Sequence, residues 1–206
     1  MISRRTLLIA LAAAPLGACN TVQTAPKLAA SADMAGAYTG DVPSEPQHVS
    51  AIDDTSLEPK LSRQIVTYRG REAPGTIVVR TNERRLYLIR GDGTAIRYPV
   101  GVGRAGKQWQ GWSEVAGKHV KPAWSPPDEV RADNPKLPDV IPGGDPGNPM
   151  GPRALTLSAG EYAIHGTNRP ESIGTFASYG CIRMYNEDIL DLFDQVSVGT
   201  PVVVTL

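Results

Sequence analysis

A histidine, a turn of small residues, a cysteine and an arginine share the stretch H-G-T-N-R-P-E-S-I-G-T-F-A-S-Y-G-C-I-R-M, which runs from His165 to Met184. A thiol attacks a carbonyl as thiolate, and with a free pKa of about 8.5 only about 3% is ionised at pH 7. Suppose a neighbouring imidazole lowers that pKa by about two units. The ionised fraction then rises about 25-fold while intrinsic nucleophilicity falls about 8-fold, a net gain of about threefold. The larger task for His165 is therefore proton delivery, as base to Cys181 and then as acid to a departing amine. Ser178-Tyr179-Gly180-Cys181 offers successive backbone N–H groups in a turn, where an oxyanion could be held. Gly180 gives that turn backbone angles closed to other residues. Arg183 lies two residues beyond Cys181. In an extended segment both side chains then share a face, and a guanidinium there could bind a substrate carboxylate through two hydrogen bonds.

The bland readings compete with these. A lone cysteine beside a glycine is commonly a small buried residue, and Arg183 alone would pass for a surface charge. The other end of the chain shifts the balance. M-I-S-R-R-T-L-L-I-A-L-A-A-A-P-L-G-A-C-N has a basic start, an apolar run from Leu7 to Ala14 and a small-residue end. That is signal-peptide layout, too short to span a bilayer. Residues 1–18 are read as the signal, and Leu16-Gly17-Ala18-Cys19 resembles a bacterial lipobox, in which Cys19 would be acylated. An ordinary signal cut nearby, with Cys19 incidental, is the alternative. Ser3-Arg4-Arg5-Thr6-Leu7-Leu8 fits a twin-arginine signal and a general secretion signal equally. Asn20 after the cysteine suggests the outer membrane, so the expected location is the periplasmic side, held to the membrane by lipid. The chain has two cysteines. With Cys19 used as an anchor, Cys181 is an unpaired thiol in an oxidising compartment, which points to reactivity.

The 21 basic residues balance 21 acidic ones. Loss of residues 1–18 removes Arg4 and Arg5 and no acid. A roughly neutral to slightly acidic chain speaks against a nucleic-acid partner, which needs a dense basic patch. Of the three histidines, His48 and His119 are read as solvated or packing residues. Neither has a standard zinc spacing to His165, so no metal site and no cofactor are expected.

Gly (21) and Pro (18) make the chain turn-rich, which suits many short strands. Residues 19–60, rich in Ala, Ser, Thr, Pro and Asp, read as a flexible tether spanning about 35 Å as a coil. Residues 61–206 read as one domain. Within it Gly75–Arg80 and Arg85–Ile89 form a hairpin around Thr81-Asn82-Glu83-Arg84, and strand composition resumes over Thr94–Val102. Ala154–Leu157 and Glu161–Ile164 are further strands, the second running into His165. Gly103–Gly151 holds all three tryptophans and several Pro/Gly clusters, and reads as a long irregular insertion serving as a lid or binding loop. Asn186 is the expected N-cap of a helix with Ile189, Leu190, Phe193 and Val196 on its apolar face and Glu187 and Asp188 at its positive end. Gly199 is expected to stop it before a closing strand from Pro201.

His165-Gly166-Thr167 with Ser178-Tyr179-Gly180-Cys181-Ile182-Arg183-Met184 closely resembles the signature of the L,D-transpeptidase catalytic domain family. Gly75-Thr76-Ile77, Gly101-Val102-Gly103-Arg104 and Asn148-Pro149-Met150-Gly151 extend the resemblance over the domain. It implies a mainly β, sandwich-like fold with one or two short helices. It implies cleavage of the bond between the third residue of a peptidoglycan stem peptide and a terminal D-amino acid, through a thioester on Cys181. His165 would be the base and the Gly166 carbonyl would orient its ring. Tyr179, Gly180 and Cys181 would supply oxyanion donors, and Arg183 would meet substrate carboxylate. The resemblance also implies that a carbapenem would acylate Cys181. Most members carry histidine where this chain has Tyr179, and here the tyrosine is read as a pocket wall or hydrogen-bond donor. The acyl acceptor stays open between a stem amine (transpeptidation), an amine of an envelope protein, and water (carboxypeptidation). A wall-binding lipoprotein without chemistry is the reading from another class.

Overall fold

The computed structural model describes residues 61–206. The signal, the Cys19 lipobox, His48 and the tether lie outside the described residues.

Eleven strands and two α-helices are formed over this range. They are β1 (Gln64–Thr67), β2 (Ile77–Arg80), β3 (Arg85–Ile89), β4 (Thr94–Pro99), β5 (Val102–Gly103), β6 (Gly111–Val120), α1 (Asp128–Asp133), β7 (Arg153–Leu157), β8 (Ala163–His165), β9 (Phe176–Ser178), β10 (Ile182–Arg183), α2 (Asn186–Gln195) and β11 (Pro201–Thr205). Nine strands run in the order β1-β4-β3-β2-β11-β6-β7-β8-β10, and β5 pairs separately with β9. The expected hairpin is there: Arg80 faces Arg85 across the turn and Ile77 faces Leu88.

The sandwich arises because β6 serves two sheets. Its first half pairs with β11 and its second half with β7, with a register irregularity between Val115 and Gly117. A bulge of this kind bends the strand and raises its twist, so the sheet folds back on itself. Ile77, Val79, Leu86 and Leu88 of one half then face Leu155, Leu157, Ile164 and Ile182 of the other. Ile189 and Leu192 of α2 complete the core.

Three expectations are corrected. Gly103–Gly151 is not irregular throughout, since it contains the ten-residue β6 and the short α1. Polar residues at Ser113, Glu114, Lys118 and His119 hide a strand that is central by position and only partly buried by side chain. His119 therefore sits in a ladder, with Nε2 3.2 Å from Thr156 Oγ1. Asn186 does not cap α2, because its side chain turns away to the His165 turn and Tyr185 takes the cap position by backbone alone. Leu192 rather than Leu190 is buried with Ile189, and the helix ends at Gln195, before Gly199.

Candidate active site

His165 closes β8 and is buried. Its Nδ1 lies 2.6 Å from the Gly166 carbonyl oxygen. A carbonyl can only accept, so the proton sits on Nδ1 and Nε2 keeps its lone pair. Burial, followed by the nearby Arg183 charge, pushes the imidazole down to about 4, against the opposing pull of the Gly166 and Pro149 carbonyls. At neutral pH the ring is an uncharged base.

Cys181 immediately precedes β10. The parallel pairing of β10 with β8 sets Ile182 beside Ile164 and Arg183 beside His165. One residue further back, the same register brings Cys181 level with Ala163. Strand alternation turns Cys181, Arg183, Ala163 and His165 to one face. Cys181 and His165 thus occupy diagonal positions of one face on adjacent parallel strands. The sulfur is half-buried against Met150, Ala154 and Ala163, and its hydrogen bond goes to the Glu161 carbonyl at 4.0 Å. Burial pushes the Cys181 thiol up, with the Ala163 N–H and Arg183 pulling the other way. The lowering supposed from sequence is reversed, because burial of the sulfur outweighs the pull of the Ala163 N–H and Arg183.

The turn before Cys181 is closed by Ser178. Its Oγ donates to the Cys181 carbonyl at 2.6 Å and accepts the Gly180 N–H at 3.1 Å. That engagement corrects the expectation of three free donors: the Gly180 N–H is directed at Ser178, and Tyr179 and Cys181 carry the remaining N–H groups of the turn. Gly180 has φ +125°, and a Cβ there would come within 2.5 Å of the Tyr162 ring. Tyr162 in turn stacks on Trp109 at 4.7 Å between centroids.

Arg183 exchanges two backbone hydrogen bonds with Gly101. Burial lowers its pKa, and no carboxylate among the described residues forms an ion pair with it. Its guanidinium lines a cavity of about 320 Å³, together with Arg169, Asn168, Trp124, Leu137, Ile141 and Tyr179. The lining thus combines apolar side chains with two arginines and one carboxylate, Asp133. A larger open groove of about 490 Å³ lies on the outer sheet face between Tyr68, Arg80 and Arg97, away from the thiol.

Two asparagines that position the site were not singled out from sequence as site residues. Asn186 Oδ1 accepts the Thr167 N–H at 2.9 Å, pinning the turn that follows His165. Asn148, 3% exposed, donates Nδ2 to the carbonyls of Pro122, Ile141 and Pro142 and accepts the Met150 N–H at 2.8 Å. It fixes the strand of chain that brings the Pro149 carbonyl to His165. Asn148→Ala leaves several buried backbone groups unsatisfied, and a loss of about 3 kcal/mol in urea denaturation is expected. A loss under about 0.5 kcal/mol, typical of a surface change, would contradict that role. The sequence signals for Asn148 are its place in a Pro/Gly turn and in the Asn148–Gly151 stretch of the family resemblance.

Residues 74–204 match the model of the L,D-transpeptidase catalytic domain. The chain belongs to that family. Among curated L,D-transpeptidase relatives, the probable L,D-transpeptidase YbiS of Escherichia coli (strain K12) is 44% identical over 133 residues, covering 61% of this chain and 43% of the relative. The putative L,D-transpeptidase YqjB of Bacillus subtilis (strain 168) is 46% identical over 82 residues, covering 37% of this chain and 47% of the relative. The chain thus spans less than half the length of these relatives. An L,D-transpeptidase from Mycobacterium smegmatis superposes with TM-score 0.52 at 17% identity, over 65% of this chain and 59% of that one. A mutant Enterococcus faecium L,D-transpeptidase gives 0.51 at 19%, over 65% and 50%. These two likenesses establish the shared fold, and with it the mainly β, sandwich-like architecture of this family.

Proposed function

We propose that the chain is a peptidoglycan L,D-transpeptidase acting through Cys181. The observation that carries this reading is the shared face of Cys181, His165 and Arg183, beside a cavity with two guanidinium groups and no ion-paired carboxylate at Arg183. The Cys181 sulfur attacks the carbonyl of the third stem residue and forms an S–C bond as its proton passes to His165 Nε2. The negative charge on the carbonyl oxygen is held by the free N–H groups of the Ser178–Cys181 turn. The C–N bond to the D-amino acid breaks, and the imidazolium returns its proton to the leaving amine. An incoming amine then attacks the thioester, gives its proton to His165 and frees the thiol. Arg183 binds a substrate carboxylate, the Gly166 carbonyl holds the ring, and no metal enters any step.

The apolar wall of the insertion favours an amine over water as acceptor, since it shields the thioester. The features at Arg4-Arg5 and Leu16–Cys19 support an exported, signal-peptide-bearing lipoprotein on the periplasmic side, and Asn20 after the cysteine supports the outer membrane. Whether stem or envelope-protein amines take the acyl group is decided by assay. Tetrapeptide stem is incubated with the protein, with and without an acceptor amine, and intact masses are followed. A thioester adduct and a cross-linked dimer are the expected result. Tripeptide alone would replace transfer by hydrolysis, and an unchanged stem would leave a wall-binding protein.

A further inference from the structure

Helix α1 has six residues and no buried side chain. A helix that short does not persist on its own, and no apolar core holds this one. Its ties to the rest of the molecule are polar. Tyr179 Oη donates to Asp133 at 2.5 Å, and Arg104 Nη2 donates to the same carboxylate oxygen at 3.1 Å. The Arg104 guanidinium lies over the Tyr179 ring at 4.1 Å. Glu129 pairs with Lys107 at 2.6 Å and more distantly with Arg104. The remaining contacts of α1 side chains, from Arg131 to Pro126 and Asp139, stay within the insertion.

Tyr179 differs from the other partners in where it sits. Arg104 and Lys107 lie in the loop after β5, whereas Tyr179 is two residues before Cys181, in the turn that carries the thiol. Both Asp133 and Tyr179 line the cavity that holds Arg183. We infer that Tyr179 is a positioning residue, whose hydroxyl ties α1 to the thiol-bearing turn and so holds the apolar wall closed over the acyl-enzyme. Resting on the reading of the chain as an acyltransferase, this gives a physical task to the tyrosine that stands where most of the family has histidine. It assigns Tyr179 no proton transfer. A hydroxyl that donates to a carboxylate keeps its proton, against the opposing pull of the Arg104 guanidinium, and both partners hold the ring on the wall.

The test uses Tyr179→Phe, Asp133→Ala and the double variant in the full chain. Amide exchange at Arg131 and Asn134, whose N–H groups bond to Pro127 and Val130, reads the tie without any activity. Tyr179→Phe is expected to speed exchange at both amides about tenfold, while exchange at core β2 amides is unchanged. The double variant is expected to match Asp133→Ala alone, because alanine leaves the Tyr179 hydroxyl no acceptor on α1 and both changes cut the same bond. In turnover, Tyr179→Phe is expected to lower the ratio of transfer to hydrolysis about threefold. Unchanged exchange at Arg131 and Asn134 would overturn the tie. Faster exchange with an unmoved partition ratio would overturn the positioning role. A wild-type chain that never acylates would refute the enzymatic reading while the exchange data still judged the tie.

Discussion

Cys181→Ala is expected to remove all measurable turnover of the tetrapeptide stem, a fall of at least about 10⁴-fold in kcat/KM, and to abolish the covalent adduct. The size follows from the chemistry proposed. Without sulfur there is no acyl-enzyme, and the remaining groups can only bind and polarise the substrate. The loss is separable from unfolding. Cys181 touches the small satellite cluster of Met150, Ala154 and Ala163 rather than the main core, so truncation to alanine costs about 1 kcal/mol at most. Urea denaturation of the variant should show a cooperative transition close to wild type. The raised thiol pKa adds a spectroscopic expectation. The difference in absorbance near 240 nm between wild type and Cys181→Ala should show no thiolate at pH 7, since the proton leaves only as the sulfur attacks. A carbapenem should add its full mass to wild type and none to the variant. Retained turnover in Cys181→Ala would end the mechanism at a stroke. A full thiolate signal at pH 7 would replace the concerted proton transfer with a standing thiolate–imidazolium pair.

The parts of this site that were legible in the sequence are those fixed by local chemistry. Gly180 before the cysteine announces a turn of unusual backbone angle, and the structure gives it φ +125° with the Tyr162 ring against its α-carbon. The two-residue spacing of Cys181 and Arg183 announces a shared face, which the short parallel pairing of β10 with β8 provides. The hairpin from Ile77 to Ile89 was legible because two apolar runs, Ile77–Val79 and Leu86–Ile89, flank a polar turn. The parts that stayed hidden depend on distant partners. β6 carries polar residues along most of its length and reads as loop, because its burial comes from β11 and β7 on either side rather than from its own side chains. Asn186 looks like a helix cap, since a cap and a clamp for a distant turn need the same short amide. The link from Tyr179 to Asp133 joins residues 46 apart, and no periodicity connects them. The protonation states were hidden as well. A histidine near a cysteine suggests an ion pair, whereas burial of both groups favours two neutral partners.

His165→Gln should separate the chemical and the structural cost of that burial. A glutamine amide can still donate to the Gly166 carbonyl, so the turn is kept, but it cannot accept the thiol proton. A fall of about 10³-fold in acylation rate is expected, within the range of general-base loss. Stability should respond with the opposite pH sense. The folded imidazole is pushed from 6.5 to about 4, so the folded state refuses a proton that the unfolded chain accepts. Above the unfolded value this group makes no contribution to the pH dependence. As pH falls from about 6.5 towards 4 the unfolded chain gains protons and folding weakens, until below about 4 both states are protonated and the penalty is constant. The depression corresponds to about 3 kcal/mol lost across that window. Carboxylates held low, such as Glu83 and Asp133, add their own loss at the acid end, equally in both proteins. The difference between wild type and His165→Gln isolates the imidazole. Measured by urea denaturation from pH 7.5 to pH 4, the variant should lose less stability than wild type by about 3 kcal/mol. Parallel curves would mean that the ring takes up its proton in the folded protein. In that case the imidazole would titrate near its ordinary value, and the acylation rate would rise with pH through about 6.5 as the ring loses its proton.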